Sequence, residues 1–247
     1  MPTCLSVNLN KVALLRNQRD LPYPSVIEMA RICIEAGCHG ITVHPRPDER
    51  HITRQDVADL SAFLERFDNI EFNIEGYPTE DFMALIERYR PEQVTLVPDD
   101  PNQKTSDHGW NVPAHRELLT SVIRRLHDWG ARVSVFIDAD PAMAKASAEV
   151  GADRVELYTG PYHFELMKGR AAEILPVYRA TADAAVAAGL GVNAGHDLNL
   201  DNLAGFISAV PQTLEVSIGH ALTADALIMG MGNAVSAYLA ILGQNNG

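Results

Sequence analysis

Groups able to transfer protons stand where apolar, β-branched runs of the sequence end or are interrupted. His44 ends GITVH, Glu71 lies in IEFNIE, and His196 ends GVNAGH. Burial between apolar neighbours brings a carboxyl group into the working range of a general base, and histidine exchanges protons near neutrality. We predict that these three residues transfer protons in successive steps of one reaction.

Positive side chains gather in GITVHPRPDERHIT, residues 40–53, although the whole chain carries a formal net charge of -12. Arg46, Arg50 and His51 lie in this segment, and Arg16 and Arg19 follow the preceding apolar run. Arginine suits phosphate because it offers two parallel N–H donors. The sequence therefore predicts an anion site close to the proton-transfer residues.

A second anion site is predicted by two runs that end in Gly-His, with Gly195 and His196 in NAGHD and Gly219 and His220 in SIGHAL. Glycine lets the backbone approach an anion, and the N–H groups at the start of a helix bind phosphate. Asp197 is expected to turn away from that phosphate and cap the next helix. Two anion sites indicate two phosphorylated ligands or one bisphosphate.

These residues are distributed over eight β-branched runs that alternate with segments of helical spacing. In 247 residues this alternation predicts an α/β fold, a (β/α)8 TIM barrel with extra short helices, as a single domain over 1–247. Gly37, Gly130, Gly151 and Gly189 stand where helix C-caps belong. A doubly wound open sheet is the competing fold, but no strand-to-helix junction of the sequence carries GxGxxG. The predicted strands are LSVNLN (5–10), GITVH (40–44), IEFNIE (70–75), QVTLVP (93–98), RVSVFID (132–138), RVELYTG (154–160), GVNAGH (191–196) and LEVSIGH (214–220).

A barrel of this kind has its active site at the carboxyl ends of the strands, so the side chains there are the candidates. Lys11 is a strand-end lysine, for which we expect pairing with phosphate or carboxylate rather than Schiff-base chemistry. A long polar loop, residues 98–110, contains Thr105 and Ser106 and is predicted to close over the site. The candidates are Asn8, Asn10, Lys11, His44, Arg46, Glu71, Asn73, Glu75, Asp138, Asp140, Glu156, Tyr158, Thr159, Asn193, His196, Gly219 and His220.

The composition narrows the classes of partner. A pI near 5.1 argues against nucleic acid or an anionic membrane as the main partner. The apolar stretches are shorter than the roughly 20 residues that span a bilayer, and the start lacks the layout of a signal peptide, so a cytoplasmic location is expected. Cys4, Cys33 and Cys38 show no CxxC spacing, which predicts reduced thiols.

The sequence resembles the pyridoxine 5'-phosphate synthase family in motifs that run in order along essentially the whole chain. The resemblance implies a homo-octamer without a metal or organic cofactor. It also implies a reaction that joins 1-deoxy-D-xylulose 5-phosphate to 3-amino-2-oxopropyl phosphate, giving pyridoxine 5'-phosphate, inorganic phosphate and water. The motifs are VNLNKVALLRNQR, GITVHPRPDERHI, IEFNIE, TLVP, VSVFIDAD, ELYTGPY, VNAGHDL and SIGHAL.

The resemblance also implies residue roles. His44 is similar to the proton acceptor, Glu71 to a second acid/base, His196 to the proton donor and Glu156 to the carboxylate that supports the transition state. The implied substrate contacts are Asn8, Arg19, Arg46, His51, Thr105, Gly219 and His220.

The sequence departs from the family pattern at Asn10, Lys11 and Asp197, which replace an aspartate, a histidine and a glycine. We expect all three near the substrates. Two other functions remain open at this point. One is a metal-dependent isomerase or hydrolase whose ligands are His44, Glu71, His196 and His220. The other is a barrel that binds phosphorylated metabolites without turnover.

Overall fold

The computed structural model describes residues 2–98 and 106–243. Its eight parallel strands close into a barrel in which each strand pairs with the next and the first pairs with the last. The predicted TIM barrel and its eight strands are therefore confirmed. The strands are β1 (Cys4–Asn8), β2 (Gly40–Val43), β3 (Glu71–Gly76), β4 (Gln93–Leu96), β5 (Arg132–Ile137), β6 (Arg154–Tyr158), β7 (Gly191–Gly195) and β8 (Thr213–Ile218).

Helices follow the strands and cover the barrel with their apolar faces. Thr53 begins one of them with a capping box that it shares with Asp56, and Gly37 and Gly130 follow helix ends with left-handed φ values of 98° and 87°. The helices are α1 (Asn10–Arg16), α2 (Val26–Glu35), α3 (Arg54–Leu64), α4 (Glu80–Tyr89), α5 (Arg116–Asp128), α6 (Pro141–Glu149), α7 (Gly160–Met167), α8 (Ala171–Ala187), α9 (Leu203–Ala209), α10 (His220–Met229) and α11 (Met231–Ile241), with a 3-10 turn at Pro113–His115. Within the described ranges, none of these helices has the length and apolar character needed to cross a membrane.

The inside of the barrel is polar, whereas the layer between strands and helices is apolar. Alternate strand residues face the two sides. The Ser6 and Thr42 hydroxyls are 2.7 Å apart, Asn73 Nδ2 donates to Thr42 Oγ1 at 3.3 Å, and Thr95 Oγ1 donates to Asn73 Oδ1 at 3.1 Å. Buried polar side chains need such partners, and this network holds neighbouring strands in register.

The amino ends of the strands, which we call the barrel floor, are closed by charged side chains. Arg132 pairs with Glu71 and donates from Nε to Gln93 Oε1 at 3.1 Å. Gln93 Nε2 donates to Glu215 Oε1 at 3.1 Å, and Arg154 Nη1 lies 3.2 Å from Glu215 Oε2. The carboxyl ends of the strands form the opposite rim, which we call the barrel mouth.

Candidate active site

A cavity of about 300 Å³ opens at the barrel mouth. Most of the residues singled out from the sequence line it. They come from β1, β3, β6, the starts of α1 and α10, and the loops after β2, β4 and β7. Those residues are Asn8, Asn10, Lys11, His44, Arg46, His51, Glu75, Ser106, Glu156, His196, Asp197, Gly219 and His220; Val97, Phe136 and Ser217 are among the other lining residues.

The placement of Glu71 at the barrel mouth is wrong. Glu71 begins β3 at the barrel floor, where it pairs with Arg132, and Gly40 at the start of β2 is its register partner. Four residues along the strand correspond to about 13 Å. Glu75 occupies the cavity instead, and it was present in the same predicted run. The strand-end rule is a signal for the later glutamate of IEFNIE, but the run by itself does not fix the depth of the strand in the barrel.

Glu75 is near the end of β3, and its side chain reaches Asn8 of β1 and His44 after β2, so it can act together with His44. Its Oε2 accepts from Asn8 Nδ2 at 3.3 Å and lies 3.8 Å from His44 Nδ1. The distance of 3.8 Å is too long for a hydrogen bond, so the two side chains are close but not hydrogen-bonded. Asn8 thus holds the carboxylate beside the imidazole.

His44 is a neutral base in this setting. It is 5% exposed, and burial first, then the charges of Arg46, His51 and Arg50, hold the pKa of His44 well below its ordinary value. Its backbone N–H donates to Asn10 Oδ1 at 2.8 Å, and the N–H of Asn10 donates to Asn8 Oδ1 at 3.0 Å. Asn10 therefore fixes the β2 loop against α1 as well as lining the cavity.

One wall of the cavity is cationic, and its charge comes from Lys11 and Arg46. His51 adds a neutral donor, because burial first, then Arg46 and Lys11, lowers the pKa of His51 to about 4. His51 Nδ1 accepts from the N–H of Ile52 at 2.9 Å, which leaves the ring hydrogen on Nε2. This wall offers two positive charges and a histidine N–H to an anion.

Other predicted cations are engaged away from the cavity. Arg16 pairs with Asp56 of α3, and Arg50 Nη2 lies 2.7 Å from Asp48 Oδ2. Arg19 is exposed in the turn after α1 and does not line the cavity, and its expected substrate contact stays a prediction. Thr105 lies outside the described residues, whereas its neighbour Ser106 lines the cavity.

Glu156 is a buried acid at the bottom of the cavity. It is 4% exposed, and burial first, then the charges of Glu75 and Glu215, hold the pKa of Glu156 well above its ordinary value. Burial therefore favours its acid form, in which it can donate a hydrogen bond. Gly195 leaves room for it, since a Cβ at that position would be 2.4 Å from Glu156 Oε1.

His196 and Asp197 follow β7 in left-handed conformations, with φ values of 71° and 61°. His196 Nδ1 lies 2.8 Å from Asp197 Oδ2, and the hydrogen bond from His196 lowers the pKa of Asp197. The expectation that Asp197 caps the next helix is wrong, because α9 begins after Asn202 and the Asp197 side chain is turned to the histidine.

A second anion-binding feature is the start of α10, a helix of ten residues that begins at His220 directly after Gly219. Its first N–H groups have no partner within the helix and carry the positive end of the helix dipole. Gly219 permits close packing here, since a Cβ would lie 3.1 Å from Asn8 Cβ. The cavity therefore combines two features that can bind anions with carboxyl and imidazole groups.

The ligand set of the metal-dependent alternative does not come together, because Glu71 is at the barrel floor. Across residues 2–98 and 106–243, no group of three or more histidine, cysteine, aspartate or glutamate side chains is placed to hold a metal ion.

Comparison with known proteins identifies the family that the chain matches. The model of the family described as pyridoxal phosphate biosynthesis protein PdxJ matches residues 5–244. The chain is 56% identical over 245 residues to a pyridoxine 5'-phosphate synthase of Mesorhizobium japonicum, covering 98% of this chain and 100% of that protein. It is 53% identical over 244 residues to a protein of the same name from Brucella anthropi, covering 98% of this chain and 100% of the relative.

Solved structures share the architecture at low sequence identity. Phosphoribosyl anthranilate isomerase from Thermotoga maritima matches with a TM-score of 0.62 and 12% identity, over 98% of this chain and 98% of that one. An open form of tryptophan synthase from M. tuberculosis gives a TM-score of 0.62 at 14% identity, over 98% of this chain and 93% of that one. Likeness at this level shows the barrel fold alone.

Proposed function

This chain belongs to the PdxJ family of pyridoxal phosphate biosynthesis proteins, and we propose that it is a pyridoxine 5'-phosphate synthase. The proposed substrates are 3-amino-2-oxopropyl phosphate and 1-deoxy-D-xylulose 5-phosphate, and the products are pyridoxine 5'-phosphate, inorganic phosphate and water. The observation that carries the proposal is the cavity itself, which combines two anion-binding features with a neutral imidazole and a carboxyl group whose acid form is favoured.

The two anion-binding features suit two phosphorylated substrates. Lys11 and Arg46 supply positive charge and His51 an N–H donor in the first, and the second is the start of α10, where Gly219 precedes His220. Holding both substrates in one cavity makes their condensation effectively intramolecular. The amine of one then attacks the ketone of the other, and imine formation releases water.

The later steps need protons to leave carbon and to reach oxygen. His44 is neutral and Glu75 lies beside it, so these two serve as proton acceptors. Glu156, whose acid form is favoured, supports the developing negative charge, and His196 donates a proton to a leaving oxygen. Loss of one phosphate by elimination, aldol-type ring closure and dehydration complete the aromatic ring.

The direct test is to mix purified protein with both substrates and to detect pyridoxine 5'-phosphate by mass spectrometry while measuring released phosphate. Equal amounts of the two products are expected, with none when either substrate is omitted. Folded protein that is stabilised by the substrates but forms no product would favour the binding barrel without turnover. Activity that chelation abolishes and a divalent ion restores would favour the metal-dependent alternative.

The homo-octamer and the cytoplasmic location stay predictions. Light scattering of the purified protein would test the first, and cell fractionation the second.

A further inference from the structure

The pair formed by His196 and Asp197 is built in an unusual way. Two consecutive residues that are not glycine adopt the left-handed region, at φ values of 71° and 61°. This conformation is costly for residues with a Cβ, although aspartate, asparagine and histidine tolerate it better than others. Such a turn persists only where the surrounding structure fixes it, and it is frequent at functional sites.

Neighbouring side chains fix this turn. Asn202 Nδ2 donates to the carbonyl of Asp197 at 2.9 Å, and Thr159 Oγ1 donates to the carbonyls of Gly195, at 2.8 Å, and of His196. Asn202 is 1% exposed and Thr159 is fully buried. The backbone of the turn is therefore held from β7 to the loop before α9, and it aims the Asp197 carboxylate at the His196 ring.

The contact settles which ring nitrogen carries hydrogen. His196 Nδ1 lies 2.8 Å from Asp197 Oδ2, and a carboxylate can only accept. That hydrogen bond lowers the pKa of Asp197 and so keeps the carboxylate ionised. Nδ1 must then be the donor, and Nε2 is the nitrogen that exchanges a proton with a ligand.

We propose that Asp197 is a positioning residue that orients His196 and fixes its Nδ1–H tautomer, so that Nε2 delivers the proton in the synthase reaction. This inference rests on the proposed function, in which His196 is the proton donor. It differs from the sequence-based expectation of Asp197 as a substrate contact. An orienting carboxylate of this kind also stabilises the imidazolium form from which the proton is given.

Asp197→Asn tests the proposal, because asparagine has nearly the same shape and tolerates the left-handed backbone. We expect kcat to fall by about 10- to 100-fold, a part of the roughly 100- to 10,000-fold that a positioned acid or base contributes. KM for both substrates should stay within about twofold, since the lost interaction acts in the transition state. Asp201→Asn is the matched control, because it removes the same charge from an exposed position of the same loop and should leave kcat unchanged. A raised KM with unchanged kcat in Asp197→Asn would mean that the carboxylate contacts substrate, and the proposal would be wrong.

A second measurement does not depend on turnover. Neutron diffraction from deuterated crystals at mildly alkaline pH locates the hydrogens of the His196 ring. We expect deuterium on Nδ1 in the wild-type protein and on Nε2 in Asp197→Gly, since histidine in water favours the Nε2–H form and glycine adopts the left-handed backbone readily. An Nδ1 without deuterium in the wild type would overturn the proposal. If the wild-type protein forms no pyridoxine 5'-phosphate, the proposed function fails, while the ring hydrogens still decide whether Asp197 orients His196.

Discussion

Glu71 and Glu75, both on β3, provide a sharp test of the active site. The sequence predicts Glu71 as the catalytic carboxylate, whereas the structure places Glu75 in the cavity. Glu75 lines the cavity at the barrel mouth and lies 3.8 Å from His44 Nδ1. Glu71 lies at the barrel floor, about 13 Å away along β3. Replacing each by glutamine keeps its shape and removes its charge. The two variants therefore differ only in which end of the strand is changed.

Glu75→Gln should lose a general base, which contributes about 100- to 10,000-fold to the rate, or roughly 2.7 to 5.5 kcal/mol of transition-state stabilisation. Its folding should be intact, because glutamine keeps the shape of the side chain and can still accept the hydrogen bond from Asn8 Nδ2. Glu71→Gln should keep wild-type kcat. It loses an ion pair with Arg132 whose side chains are 25% and 30% exposed, which is worth at most about 1 kcal/mol after solvent screening.

The assay is steady-state release of phosphate from both substrates, together with thermal unfolding of each variant. For Glu71→Gln we expect a Tm lower by at most about 4 °C and unchanged turnover. For Glu75→Gln we expect binding of both phosphorylated substrates but a collapse of kcat. The reverse pattern, in which Glu71→Gln is inactive and Glu75→Gln turns over normally, would refute the assignment of the cavity as the active site.

Three further changes test the rest of the site and the barrel floor. Gly219→Glu should weaken binding of a phosphorylated substrate, because a carboxylate at the start of α10 repels the phosphate and keeps it from the free N–H groups of the helix. Calorimetry measures the Kd, and an unchanged Kd would argue against the phosphate site. Gly195→Ala should cost about 1 to 3 kcal/mol and abolish turnover, because the new Cβ would lie 2.4 Å from Glu156 Oε1 and displace that carboxyl group; full activity would contradict the packing. Burial raises the pKa of Glu215 from its ordinary value, 4.5, to about 7, so the folded state binds a proton that the unfolded state has lost. Relative to Glu215→Gln, the wild type should therefore lose up to about 3 kcal/mol of unfolding free energy as pH rises from 4.5 to 7. If denaturation experiments give the two proteins the same change in unfolding free energy across that pH range, the effect is absent.

Hydrophobic periodicity was enough to predict the architecture. The eight β-branched runs became eight strands, with boundaries shifted by one or two residues at most ends, because period two and period 3.6 are local properties of the chain. Gly37, Gly130, Gly151 and Gly189 were correctly placed after helix ends, where all four adopt positive φ. The rule that barrel enzymes act at the carboxyl ends of strands then located the cavity in outline.

Partners distant in sequence could not be predicted in the same way. Arg16 was expected to bind an anion, but it pairs with Asp56, forty positions later, because the fold brings the end of α1 to the start of α3. Asp197 was expected to cap a helix, but the left-handed backbone at His196 and Asp197 turns its carboxylate to the neighbouring ring. Neither outcome follows from residue types, since both depend on where other segments lie.

The sequence by itself determined the fold, the Gly-His turns and the kinds of group at the strand ends. It could not decide whether Glu71 or Glu75 lies at the barrel mouth. Residues an even number of positions apart on a strand face the same side, so the alternation is the same for both. Only closure of the barrel fixed their depth, by pairing Gly40 with Glu71 and Thr42 with Asn73 so that β3 begins at the barrel floor. Burial then shifted both pKa values: the same closure that removes water from Glu156 and His44 favours the acid form of the first and the neutral form of the second.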